Sequence, residues 1–137
     1  AEKLRRAGFE YGAKTGRPRR VGPIDIVATR YGVEVQAATA IALTKLDVLS
    51  YMDKIPVCTH YMLNGEQTDS FPFPFALKNA EPVIEFFDGW KCDISGVRRW
   101  EDLPKAAQEY VTYIEKQIGC PIKYVSVGPE RDNIVIR

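Results

Sequence analysis

Apolar residues recur along this 137-residue chain with several distinct periods, and each period predicts an element. Ile24, Val27, Ala28, Tyr31 and Val35 fall at helical spacing behind Gly22 and Pro23. The pattern predicts a helix of about 13 residues, with Asp25 in the first turn where the helix dipole favours a carboxylate. The unbroken apolar run Ala40, Ile41, Ala42 and Leu43 follows, as expected of a parallel strand covered on both faces. Asn64-Gly65 sits between two extended runs and predicts an antiparallel hairpin, because both turn positions want positive φ. "PVIEFF" at 82 to 87 reads as a further strand. "FPFPF" at 71 to 75 reads as a packed loop, since its prolines lack the N–H groups a central strand needs. Leu103, Ala107, Tyr110, Val111, Ile114 and Ile118 form an apolar stripe on a helix begun at Pro104 and ended by Gly119. "PIKYVSVGP" then reads as strand and turn. At the other end, "AEKLRRAGFE" resembles the close of a helix stopped by Gly8, which suggests a piece of a longer chain.

Helices alternating with buried strands, plus one hairpin, imply an α/β fold: a mixed, partly parallel sheet with flanking helices. No repeat, low-complexity stretch or Ser/Gly linker offers a boundary, so residues 1–137 are expected to form a single domain. A hydrophobic content of 45% supports a core of its own. No apolar run approaches the roughly 20 residues of a membrane span, and no signal peptide is evident, so the expected setting is cytoplasmic, without a membrane partner. Cys58, Cys92 and Cys120 are odd in number and widely spaced. That fits neither a disulfide framework nor a zinc site, and they read as buried or half-buried thiols. A net charge of +1 argues against a broad grip on nucleic acid, which needs many cations on one face.

The positive charge is local. "YGAKTGRPRR", residues 11 to 20, threads Lys14, Arg17, Arg19 and Arg20 between and beyond Gly12 and Gly16. Glycines let backbone amides approach an anion, and guanidinium forks match carboxylate or phosphate; a solvated charge run is the bland alternative. "TKLD", Thr44 to Asp47, lies at the carboxyl end of the expected parallel strand, where open α/β sheets bind ligands. Asp47 could accept two hydrogen bonds from the N1 and N2 edge of guanine while the Lys45 stem covers the ring; ordinary polar capping of a strand end would look the same. "SVGP", Ser126 to Pro129, supplies a hydroxyl and a glycine past another apolar strand, or simply a tight turn. The lone histidine, His60, has no Cys or acid partner in sequence and is assigned nothing.

In this order and at these distances, "YGAKTGRPRRVG", "ALTKLDVL", "EPVIEFFDGW", "GVRRWEDLPKAAQEYVTYIEKQIGCPI" and "SVGPERD" closely resemble the carboxyl-terminal part of adenylosuccinate synthetase, across nearly all of the chain. The resemblance implies part of a larger P-loop-like GTP-dependent ligase fold. It implies an enzyme that couples GTP hydrolysis to joining IMP with L-aspartate, using magnesium, in the cytoplasm and as a homodimer. It places the aspartate-binding loop on Ala13, Lys14, Thr15, Gly16, Arg17, Pro18 and Arg19. Arg17 also reaches IMP and Arg19 belongs to the GTP side, whereas Lys45, Leu46, Asp47, Ser126, Val127 and Gly128 form the guanine pocket. Two departures stand out: Lys14 where the family often has threonine, and Pro23-Ile24 where it often has tryptophan-leucine. The family's glycine-rich phosphate loop and catalytic aspartate and histidine belong to its amino-terminal region, and no such phosphate-loop motif occurs in this chain. The expectation is recognition without chemistry: the chain alone is inactive, and magnesium is bound elsewhere. The rival reading is a non-enzymatic module whose arginine loop contacts RNA or an acidic partner, which would call for aromatic platforms or a continuous basic face beside the loop.

Overall fold

The computed structural model describes residues 1–137. Its elements run α1 (Glu2–Ala7), β1 (Ile24–Asp25), α2 (Ile26–Val35), β2 (Ile41–Leu43), β3 (Lys54–Leu63), β4 (Glu66–Thr68), α3 (Pro74–Leu77), β5 (Glu81–Asp88), α4 (Lys105–Ile118), β6 (Ile122–Ser126) and β7 (Ile134–Ile136). The mixed α/β class expected from the sequence is the one observed, divided between two sheets. In the larger sheet, β3 pairs parallel with β1 and antiparallel with β4 and β5. In the smaller one, β6 lies between parallel β2 and antiparallel β7.

Helix α4 joins the two. Its stripe buries Ala107, Tyr110, Val111, Ile114 and Ile118 in one cluster with Ile55 and Val57 of β3, Ile122 and Val125 of β6 and Val135 of β7. Each fully buried Ile or Val contributes roughly 1.5–3 kcal/mol relative to exposure. The helix ends as the sequence predicts: Gly119 takes the left-handed conformation at φ 66° and donates its N–H to Glu115 O at 3.1 Å. The hairpin is also where expected, with Leu63 opposite Glu66 and positive φ at both Asn64 and Gly65.

Other expectations need correction. Ile24 and Asp25 are not helical; they form β1, and α2 is a 10-residue helix that starts at Ile26. Asp25 is extended at φ −108°, and its Oδ1 accepts the Ala28 N–H at 3.0 Å. It is therefore the N-cap rather than a first-turn residue, and an extended cap leaves the preceding residue free to join a strand. The other oxygen, Oδ2, accepts the Tyr61 hydroxyl at 2.5 Å. Strand β2 runs parallel to β6 but is not covered on both faces, since Ala42 is exposed. The Phe-Pro stretch packs only at its start: Phe71 stacks on Tyr31 at 4.8 Å and Pro72 is buried. Phe73 and Phe75 are 74% and 76% exposed, and Pro74 opens α3 because its ring suits a first helical turn. Gly8 ends α1 at φ −90°, and Phe9 takes the positive φ instead. Cys58 and Cys120 are buried thiols as read, but Cys92 is exposed. Burial pushes the Cys58 thiol up to about 11, which keeps it protonated and unreactive.

Gly89 shows how tightly the β5 exit is closed. Its N–H donates to Asp53 O at 2.9 Å, and a Cβ built on it would fall 1.8 Å from Met52 O. Backbone on both sides must move to admit a methyl group, so Gly89→Ala is expected to cost about 1–3 kcal/mol or more, at the upper end of overpacking penalties. A urea midpoint equal to that of the unaltered chain would show that this junction yields freely.

Candidate functional site

The basic loop is a closed structure of its own. Gly12 N–H donates to Arg17 O at 2.8 Å, Gly16 N–H donates to Gly12 O at 2.8 Å, and Tyr11 bridges Pro18. Gly16 sits at φ 65°, in the left-handed region that favours glycine. Thr15 turns its Oγ1 inward, accepting the Arg17 N–H at 3.3 Å. Residues 13 to 20 are all exposed. Lys14, Arg17 and Arg20 make no ion pair within the chain, whereas Arg19 does.

The second and third stretches meet. Parallel pairing of β2 with β6 sends both carboxyl ends out at the same edge. Leu46 N–H donates to Ser126 O at 3.0 Å and locks the two exits together. Leu46 and Val127 are fully buried, and their side chains anchor this edge in the core. Asp47 is half-buried at the head of a short 3₁₀ turn, Asp47–Leu49, and its carboxylate is in no ion pair. Ser126 donates its hydroxyl to Gly128 O at 3.0 Å. A Cβ on Gly128 would come within 2.8 Å of the Asn133 side chain, so the room that glycine provides there is taken up by Asn133.

Lys45 connects this edge to the loop. Its Nζ donates to Gly8 O at 2.7 Å and to Glu10 Oε1, while Glu10 Oε2 accepts from Arg19 Nη1 at 3.0 Å. The hydrogen bond from Lys45, and then that from Arg19, hold the Glu10 carboxyl below the usual carboxylate range. A carboxylate depressed in this way keeps its bridge above its unfolded pKa and loses it only as pH falls through the lower folded value, so the bridge is intact at neutral pH. Lys45 itself is at φ 63°, an uncommon conformation for a residue with a side chain. Nothing in the sequence marks Glu10 except its place just ahead of the cations.

Beside these residues lies a cleft of about 390 Å³. Glu10, Arg20, Thr44 and Lys45 supply its polar lining, and Ile24, Leu43, Leu46 and Tyr110 much of the apolar one. Asp47 and the Ser126–Gly128 turn do not line it. The structure thus joins Leu46 to Ser126 directly and Lys45 to Arg19 through Glu10, and leaves Lys14, Thr15 and Arg17 on the outer part of the loop. His60 lies on β3 with its Nδ1 2.9 Å from Thr59 Oγ1, away from this group. No three or more His, Cys, Asp or Glu side chains come together in a way that could hold a metal ion, and no helix is long and apolar enough to cross a membrane.

Comparison with known proteins gives a consistent result. The family model for adenylosuccinate synthetase matches residues 1–135. The chain is 49% identical over 136 residues to adenylosuccinate synthetase of Trichlorobacter lovleyi, covering 98% of this chain and 32% of that protein. It is 48% identical to the chloroplastic adenylosuccinate synthetase of Ostreococcus tauri, covering 100% of this chain and 29% of the relative. The solved structure of a fully ligated adenylosuccinate synthetase from Plasmodium falciparum superposes with a TM-score of 0.93 at 38% identity, over 99% of this chain and 33% of that one. The chain spans about a third of the length of the curated relatives it matches. With nearly every residue matched in both sequence and fold, this chain belongs to the adenylosuccinate synthetase family.

Proposed function

We propose that residues 1–137 are the carboxyl-terminal, substrate-recognising part of a ligase that joins IMP to L-aspartate with hydrolysis of GTP, in purine biosynthesis. The observation that carries this reading is the hydrogen bond from Leu46 N–H to Ser126 O. It unites two stretches remote in sequence at a sheet edge of the kind α/β proteins use for ligands. In this reading Asp47, unpaired within the chain, accepts the N1 and N2 protons of guanine. Adenine, with no proton on N1, leaves that carboxylate short of a donor. Ser126, whose proton goes to Gly128 O, keeps acceptor lone pairs for the same ring. Lys45 turns its ammonium to Glu10 and Gly8, so what it offers the base is its methylene stem.

The loop Ala13–Arg19 takes the aspartate. Arg17 presents a planar fork to its carboxylate and extends to IMP, while Arg19 serves the nucleotide side. The phosphate loop and the acid–base pair belong, in this proposal, to an amino-terminal region. Magnesium, which when bound would balance phosphate charge, is assigned to that amino-terminal region as well. A cytoplasmic setting and a homodimer accompany the reading as family properties.

The purified 137-residue chain is expected to make no adenylosuccinate from IMP, aspartate and GTP; turnover by it would overturn the division of labour. In the complete enzyme, Asp47→Asn should weaken GTP by about 1–3 kcal/mol and relax discrimination among purine triphosphates, because an amide presents one acceptor and a misplaced donor. Unchanged KM values for GTP and its competitors would remove Asp47 from the pocket. Arg17→Leu should chiefly damage aspartate use, by roughly 2–5 kcal/mol if the substrate carboxylate is left buried and unpaired. Arg19→Leu should carry the larger GTP component. Lysine at either position should rescue only partly, since it restores charge without the two-point contact. Retention by Arg17→Leu of the aspartate KM and turnover would make the loop a solvated charge run.

A further inference from the structure

We propose that Glu10 is a positioning residue that couples the two substrate sites. By holding Arg19 and Lys45 on one carboxylate, it keeps the aspartate loop in register with the guanine-side strand end. The inference rests on the assignment of those sites made above.

Each unit is closed by its own backbone bonds, the loop through Gly12, Gly16 and Arg17 and the strand end through Leu46 and Ser126. Arg5 of α1 donates its Nε–H to Arg19 O at 2.9 Å; the hydrogen bonds that run from the loop to Lys45 pass through residues 8 to 10. Glu10 O accepts the Arg19 N–H at 2.9 Å and Gly8 O accepts Lys45 Nζ at 2.7 Å, while the two Glu10 carboxylate oxygens each take one cation. The side chain of Glu10 is only 18% exposed, against 59% for Arg19 and 48% for Lys45. The acid is therefore the fixed member and the cations are arranged around it. Lys45 keeps its positive φ within this set of contacts, the kind of backbone outlier that persists only when its surroundings hold it and that gathers at binding sites. A nucleotide held against Lys45 thereby draws on the same carboxylate that positions Arg19 and the loop. Coupling of this kind is reciprocal.

The choice of substitution follows from the geometry. Glutamine keeps size but has one acceptor and turns an NH₂ toward a cation, so one of the two contacts is lost. Aspartate keeps the charge but is too short by a methylene to reach both. The test uses the complete enzyme, with GTP and aspartate each varied at several fixed levels of the other. Glu10→Gln is expected to raise the KM of both substrates by about 10-fold, within the usual range for coupled sites. Its kcat, per titrated active site, should stay within about threefold, as when binding rather than transition-state contacts is removed. Any fall in the aspartate KM with rising GTP should disappear, and Glu10→Asp should lie between the two. If Glu10→Gln raises only one KM or neither, while Arg17→Leu and Asp47→Asn act on aspartate and GTP as assigned, the coupling is refuted and the substrate assignment stands. If those two variants are inert as well, the assignment itself falls and the coupling with it. KM changes that merely track a lower melting temperature or a smaller active fraction would make Glu10 structural and would also overturn the proposal.

Discussion

The apolar stripe of α4 is the constraint from which the rest of the molecule follows. Two sheets of three and four strands cannot each bury a face alone, and Ala107, Tyr110, Val111, Ile114 and Ile118 give them one core to share. Tyr110 shows how that core reaches the surface. Its ring stands 6.1 Å from Trp90 and 6.2 Å from Phe87, and the same residue lines the cleft beside the basic loop. The wall of the cleft is thus the outer side of packed interior. Movement there would disturb side chains that are among the most buried in the chain.

With that core in place, strand direction decides where polar residues emerge. Because β2 and β6 are parallel, Thr44–Asp47 and Ser126–Gly128 must leave at one edge, however far apart they stand in the sequence. An antiparallel pairing would have put them at opposite ends. The burial of Leu46 and Val127 pins one residue of each exit into the core. Their neighbours Asp47 and Ser126 are thereby held at the boundary with solvent, where a carboxylate and a hydroxyl can be partly desolvated without losing access to a ligand.

How much of this was legible in the sequence depends on the range of the forces involved. Helix α4, its Gly119 terminus and the Asn64-Gly65 hairpin were readable because each is set by neighbours within a turn or two. β1 was not, because Ile24 keeps helical spacing with Val27 and Ala28; the period runs straight through the Asp25 cap, and only pairing with Val57 and Cys58 makes Ile24–Asp25 a strand. β7 was missed for a similar reason, being three residues whose strand character comes from β6. The Phe-Pro stretch is not a packed loop throughout, because apolar composition does not state which rings reach the interior: Phe71 stacks on Tyr31, while the exposed Phe73 and Phe75 stack on each other. The cations, Asp47 and the Ser126 turn were visible as residue types in a recognisable order. Glu10 was not, since its partners lie nine and 35 residues away.

The distribution of charge in and beside the loop gives Glu10 its significance. One carboxylate serves two cations, and three more, Lys14, Arg17 and Arg20, have none. A second acid in the loop would satisfy Arg17 internally, and an incoming anion would then have to displace it. Arg17 instead is exposed and in no ion pair, so no group of the chain has to be displaced for it to meet an anion. Pairing Arg19 and Lys45 has the opposite consequence, because it limits the positions their long side chains can take before a ligand arrives. The loop therefore contains one arginine held by the protein and another left open two residues away. Gly16, with its left-handed backbone immediately before Arg17, makes the turn that lets Gly12 N–H reach Arg17 O and so sets where the open arginine leaves the loop.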